Sequence, residues 1–278
     1  MTDLGRPPGR PHQPPHQSPK PPTGSASVPF TRWVHLELRK SVDTLAGFWL
    51  LVVIAVLLIM IEGFFLLVGL TSDDAGLSFT IFTRPMAYVL QPMVATLTIM
   101  LVTSEWGQRT AMVTFALEPR RSRVLLAKLV AAFTLTLALI VVLLVVATVC
   151  AAMLGAVDGS SFEWDLGPGD VVGLVLFEAI AVLVGFGLAT SILNTPGAIG
   201  AFPVIAYAIP SGLGLVGLFW EDFRSVGRFL NLQSSTNPVL TWSVDSGEDW
   251  ARLVVVLLVW AAVPLVLGQL RVKHAEVK

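Results

Sequence analysis

Two carboxylic acids, Glu62 and Glu178, fall inside long apolar runs of this chain, and Gln91, followed by Pro92, interrupts another run near the same depth. At a helix rise of about 1.5 Å per residue, each acid lies about 12 Å from the outer end of its run. An ionisable group at that depth in a bilayer costs a few kcal/mol, so it faces a cavity or a partner. No basic residue lies at that level to pair with either acid. Two roles are open. A protonated carboxyl can hydrogen-bond to neighbours such as Thr96 or Thr98, or a carboxylate can line a wet path that receives a cationic amphiphile or a coupling ion.

Other chemistry has little material to work with. The four histidines, His12, His16, His35 and His274, lie in the tails or at the surface, so no span offers an imidazole for a haem or a metal. Cys150 is the single cysteine, which rules out an intrachain disulfide. There is no GxxxxGK[ST] phosphate loop, no His–Glu metal motif and no nucleophile elbow. The chain is therefore expected to bind no metal or nucleotide itself and to be no enzyme.

The elements that position these residues are membrane helices. Of 278 residues, 54% are apolar and 13% charged, about half the charged fraction of a soluble domain. The apolar runs reach the roughly 20 residues that cross a bilayer. Six spans are expected, at about Gly47–Leu70, Pro85–Ser104, Leu125–Val157, Val171–Leu193, Gly197–Phe219 and Arg252–Leu270. The third is over-long and must tilt or protrude. Asn194-Thr195-Pro196 is a tight turn between spans four and five. In span five, Pro203, Pro210, Gly212, Gly214 and Gly217 predict kinks and close helix approach.

Residues 1–29 are proline-rich and expected to be a disordered cytoplasmic tail. Over Phe30–Leu45 the period changes. Phe30, Val34, Leu38, Val42 and Leu45 share one face, Arg32, Arg39 and Asp43 the other, and Trp33 flanks the apolar stripe. This predicts an amphipathic interfacial helix leading into the first span. Residues 272–278 form a second short tail. The outer segment 220–250 mixes aromatic and apolar residues with Ser234-Ser235-Thr236-Asn237-Pro238. It is either a pair of short helices dipping back toward the bilayer or an ordinary loop with interfacial aromatics.

Charge fixes the expected orientation. With both termini cytoplasmic, fourteen Lys and Arg face the cytoplasm and only Arg84, Arg224, Arg228 and Arg252 face outward. The positive-inside rule demands this arrangement in a plasma-membrane protein. The densest basic segment joins spans two and three: Glu105-Trp106-Gly107-Gln108-Arg109-Thr110, then Glu118-Pro119-Arg120-Arg121-Ser122-Arg123, and Lys128. Its middle, Thr110–Leu117, reads as a short helix that stops before Pro119, because the residue preceding proline is pushed away from helical angles. Such a basic loop can dock a protein partner or lie against lipid head groups.

With Glu105-Trp106, Arg109-Thr110, Glu118-Pro119-Arg120-Arg121 and Lys128 in this place, the chain resembles the permease subunits of ABC-2 type ABC transporters over residues 30–270. The resemblance implies an elbow helix at 30–45 and a six-span domain over 46–271. It also implies a coupling loop at 105–128 and a re-entrant outer segment at 220–250. Glu105, Arg109, Thr110, Phe115, Glu118, Pro119, Arg120 and Arg121 would then couple to a separate ATPase subunit, present in two copies, which holds ATP and Mg. A second permease copy or a related permease would complete the membrane domain, with Glu62, Gln91 and Glu178 along the substrate path. The implied activity is export of a hydrophobic or amphiphilic substrate such as a drug, antibiotic, lipid or peptide. No nucleic-acid partner is expected. An ion-coupled secondary transporter using Glu62 and Glu178 is the main alternative, although the two halves of the chain show no internal repeat. A non-transporting membrane partner protein is the third.

Overall fold

The computed structural model describes residues 29–71, 78–107, 120–158 and 165–274. Every regular element among them is helical. Six helical stretches are long and apolar enough to cross a membrane: Leu45–Thr71, Thr80–Trp106, Ser122–Ala156, Pro168–Ile192, Thr195–Val216 and Gly247–Arg271. The protein is an all-α, multi-pass membrane protein.

A preceding helix, α1 (Phe30–Asp43), is separated from α2 (Leu45–Thr71) by the extended residue Thr44, with ψ 137°. The expected helix over 30–45 therefore stops two residues early. The Thr44 hydroxyl accepts from the Gly47 N–H at 3.2 Å, satisfying a donor at the new helix start. Only glycine fits at position 47, since a Cβ there would lie 1.9 Å from the Ser41 carbonyl oxygen.

α3 (Thr80–Gly107) and α5 (Pro168–Ile192) form the buried centre, where Met86, Leu90 and Val94 meet Phe177, Ala181 and Val184. α4 (Arg121–Asp158) has 38 residues, about 57 Å of helix. That is well beyond the roughly 30 Å of bilayer hydrocarbon. The turn expected at 194–196 is present: Leu193 takes the left-handed conformation at φ 54° and the Asn194 side chain caps the next helix, accepting from Gly197 N–H at 2.8 Å.

The fifth span is α6 (Thr195–Pro203), a π-helical segment Val204–Ala208, and α7 (Ile209–Val216). The wide turn follows Pro203, which cannot donate to an α-helical ladder. Two short helices come next, α8 (Glu221–Leu230) and α9 (Leu232–Leu240). The sixth span is α10 (Gly247–Leu257), a second π-helical segment Leu258–Ala262, and α11 (Val263–His274). Gly173 lets α9 lie directly on α5, because a Cβ there would meet the Val239 carbonyl oxygen at 2.3 Å.

The start of α3 is held from the α5 side. Asp165 accepts from the Thr80 N–H at 3.1 Å and from its hydroxyl at 2.9 Å. Partial burial pushes the Asp165 carboxyl up, but hydrogen bonds from Ser78 and Thr80 outweigh it and hold the group below the usual carboxylate range. The stabilisation is thus present above the unfolded value near about 4 and is lost as pH falls through the folded value. Asp165→Asn is expected to cost about 1 kcal/mol at neutral pH and to flatten the acid limb of thermal unfolding in detergent. An unchanged acid limb would show that the cap contributes nothing.

Candidate functional site

Two polar regions stand out in this apolar bundle. The first lies where α3 ends and α4 begins. Trp33 and Glu37 are one turn apart on α1 and so share a face, and both are buried. Lys40, three residues on, borders the same face.

Glu37 is gripped from both sides. Lys128 Nζ donates to its Oε2 at 2.8 Å, and Lys40 Nζ donates to its Oε1 at 2.9 Å. Lys40 also donates to Glu105 Oε1 at 2.8 Å, and Lys128 lies 3.5 Å from the same oxygen. A further bond runs from Lys128 to the Leu101 carbonyl at 3.0 Å. The side chains of Glu37 and Lys128 are 2% and 3% exposed, so these charges are genuinely desolvated. Two lysines balance two glutamates, which offsets the cost of burying them. Burial pushes the Lys40 ammonium down, but its hydrogen bonds to Glu105 and Glu37 outweigh this and raise it above the ordinary lysine value.

The cluster joins three elements, α1 and the two helices that flank the basic loop. Of the expected coupling residues, Glu105 belongs to it. Arg120 is exposed at the loop's return and Arg121 opens α4. Arg109, Thr110, Phe115, Glu118 and Pro119, with the short helix expected at Thr110–Leu117, lie outside the described residues. Glu37 was invisible as a site residue in the sequence, because its partners lie 91 and 3 residues away and only the first reveals the cluster. On α1 the expected polar face is present, with Arg39 Nε 2.9 Å from Asp43 Oδ2. The face turned to the protein, however, centres on Trp33 and Glu37. Val42 and Leu45, placed on the apolar stripe, are exposed.

The second region lies between α3, α5 and the α8–α9 hairpin. Glu178 is fully buried on α5, Gln91 fully buried on α3, and Glu62 is 1% exposed on α2. Neither carboxyl has a hydrogen-bond partner. Thr96 and Thr98 do not serve them: their hydroxyls donate to the Pro92 and Val94 carbonyls of their own helix, at 2.8 and 2.9 Å. A threonine in a helix finds that acceptor locally, whatever lies across the interface. The two acids also have different neighbours. Glu62 interacts electrostatically with Cys150 of α4, and Glu178 with Tyr207 of the first π-helical segment.

Gln91 does find a partner, one missed in the sequence. Its Oε1 accepts from Gln233 Nε2 at 2.8 Å, about 16 Å along α3 from Thr80. One turn earlier the Tyr88 hydroxyl donates to Asn237 Oδ1, and the Tyr88 ring packs edge-on against Phe177 at 5.6 Å. The hairpin tip is held from the other side by Trp260 of the second π-helical segment, whose Nε1 donates to the Leu230 carbonyl at 2.9 Å. Tyr207 sits beside Gln233. Both π-helical turns therefore present an aromatic side chain to the same tip, and such turns are frequent at functional sites.

No group of three or more His, Cys, Asp or Glu among the described residues is placed to hold a metal. Compared with known protein families and with curated proteins, the chain matches none.

Proposed function

We propose that this chain is the membrane subunit of an ATP-driven exporter of the ABC-2 permease type. The supporting observation is the Glu37–Lys128–Glu105–Lys40 cluster, buried except for half-exposed Lys40, which ties α1 to both roots of the basic 105–128 loop. The helices that carry the loop, α3 and α4, are thereby fastened to α1, so force arriving at the loop would reach all three helices, which suits a device that receives force. In this reading Arg109, Thr110, Phe115 and the flanking Glu118, Pro119, Arg120 and Arg121 press against a separate ATPase that carries ATP and Mg. α1 lies in the cytoplasmic interface as an elbow, and the α8–α9 hairpin dips into the outer leaflet. Two ATPases and a second permease copy complete the assembly in the plasma membrane, with both termini cytoplasmic. Nucleotide-driven closure tilts the spans and moves an amphiphilic substrate outward.

Co-purification tests the reading. The full-length chain, captured from its native membrane, is expected to bring down an ATPase with a phosphate-binding loop. Capture with no such subunit, in a preparation where transport persists, would rule the proposal out.

Orientation has its own test. Cys150 is buried, so background labelling should be low. A cysteine replacing Ser160 is expected to react with an impermeant thiol reagent outside intact cells, and one replacing Ser122 is not. The Lys/Arg asymmetry motivates this. The opposite labelling pattern would invert the protein and remove the loop from the cytoplasm.

A further inference from the structure

The pair Gln91–Gln233 shares a single hydrogen bond, leaving Gln91 Nε2 and Gln233 Oε1 without partners. The two amides can be turned either way round, yet one bond between them always leaves one carbonyl oxygen and one amino group unpaired. The Glu178 carboxyl is likewise unpaired and fully buried. Buried polar groups in folded proteins are overwhelmingly bonded, so the unpaired amide atoms at the hairpin tip and the unpaired Glu178 carboxyl near Tyr207 call for an occupant. Tyr207, beside Gln233 and in electrostatic reach of Glu178, is 39% exposed and marks the open side.

We propose that the seam beneath the α8–α9 tip, formed by Gln91, Glu178, Gln233 and Tyr207, binds the head group of an amphiphile carrying a protonated amine. An ammonium has three N–H donors. The seam offers a carboxylate, an amide oxygen and a phenolic oxygen as acceptors, and the remaining amide N–H₂ suits a hydroxyl or carbonyl beside the amine. Amine and carboxyl share one proton between them, so the pair carries no net charge into the bilayer. Pairing the opposite charges and matching each donor to an acceptor offsets the cost of taking the head group out of water. The alkyl part faces the apolar side of the fifth span, where Val204 and Tyr207 are exposed. This assigns a substrate class to the path in the exporter reading and rests on that reading only for the ligand's onward movement.

The test uses the full chain in lipid nanodiscs without any ATPase, so its result is independent of coupling. The probe is hexadecylamine carrying a diazirine near the amine, compared with the matching hexadecanol. Irradiation is expected to label peptides around Gln91, Glu178 and Gln233 at least tenfold more with the amine than with the alcohol. Glu178→Gln keeps the side-chain shape and should lower amine labelling about tenfold while leaving the alcohol unchanged. Tyr207→Phe, which keeps the ring, should lower it several-fold. Should Glu178→Gln fail to insert, Tyr207→Phe and Gln233→Leu decide the matter. A seam that merely holds water predicts equal labelling by both probes. That outcome, labelling centred elsewhere, or amine labelling indifferent to these substitutions overturns the proposal.

Discussion

Lys128→Met should destabilise the protein by about 3–5 kcal/mol, the cost of leaving buried carboxylates without their counter-ion. Its ammonium bonds Glu37 and the Leu101 carbonyl and lies 3.5 Å from Glu105, all in a site almost closed to solvent. Without it, two glutamates face Lys40 alone, and Lys40 is half exposed. Methionine fills much of the volume, so the loss reports charge rather than a cavity. The double variant Glu37→Gln/Lys128→Met leaves the Lys40–Glu105 pair balanced and should recover most of the loss. Thermal unfolding in detergent reads both effects. Additive losses, or a Lys128→Met protein within about 0.5 kcal/mol of the parent, would dissolve the cluster as an energetic unit.

Phe115→Asp is expected to abolish ATP-driven transport while the chain still inserts and folds. In the proposed assembly Phe115 enters an apolar contact on the ATPase, and a carboxylate buried there without a partner costs several kcal/mol. In that assembly the loop is the surface that would receive force, so losing its seat would lose the coupling as well as affinity. ATPase co-purification and transport in vesicles measure the two consequences separately. Normal transport by a stably inserted Phe115→Asp protein would exclude the loop from the mechanism. Lys128→Met offers a contrast: it should weaken the lever without touching the docking face, so the ATPase stays bound as transport falls.

The sequence by itself determined the six spans, the turn at 194–196 and the charge asymmetry on which orientation rests. Each follows from something local or summed. Span length is set by bilayer thickness, a turn by Asn and Pro at fixed offsets, and orientation by counting Lys and Arg. It also placed Glu62, Gln91 and Glu178 inside spans, because depth along a helix is only a residue count.

Who stands opposite whom is another kind of quantity. Glu37 carries no signal of its own in the sequence, and only the packing of α1 onto α4 brings it to Lys128. Thr96 and Thr98 looked like partners for the acids, yet each is satisfied by its own backbone. Gln91 meets Gln233, 142 residues later, because Gly173 lets α9 settle against α5 and the hairpin tip reaches past it to α3. Periodicity gives a side chain's face on its own helix, but the rotation and depth of the neighbouring helix come only from how the whole bundle packs. Tertiary structure therefore decided which polar groups are paired, as in the four-charge cluster, and which are left waiting, as beneath the hairpin tip.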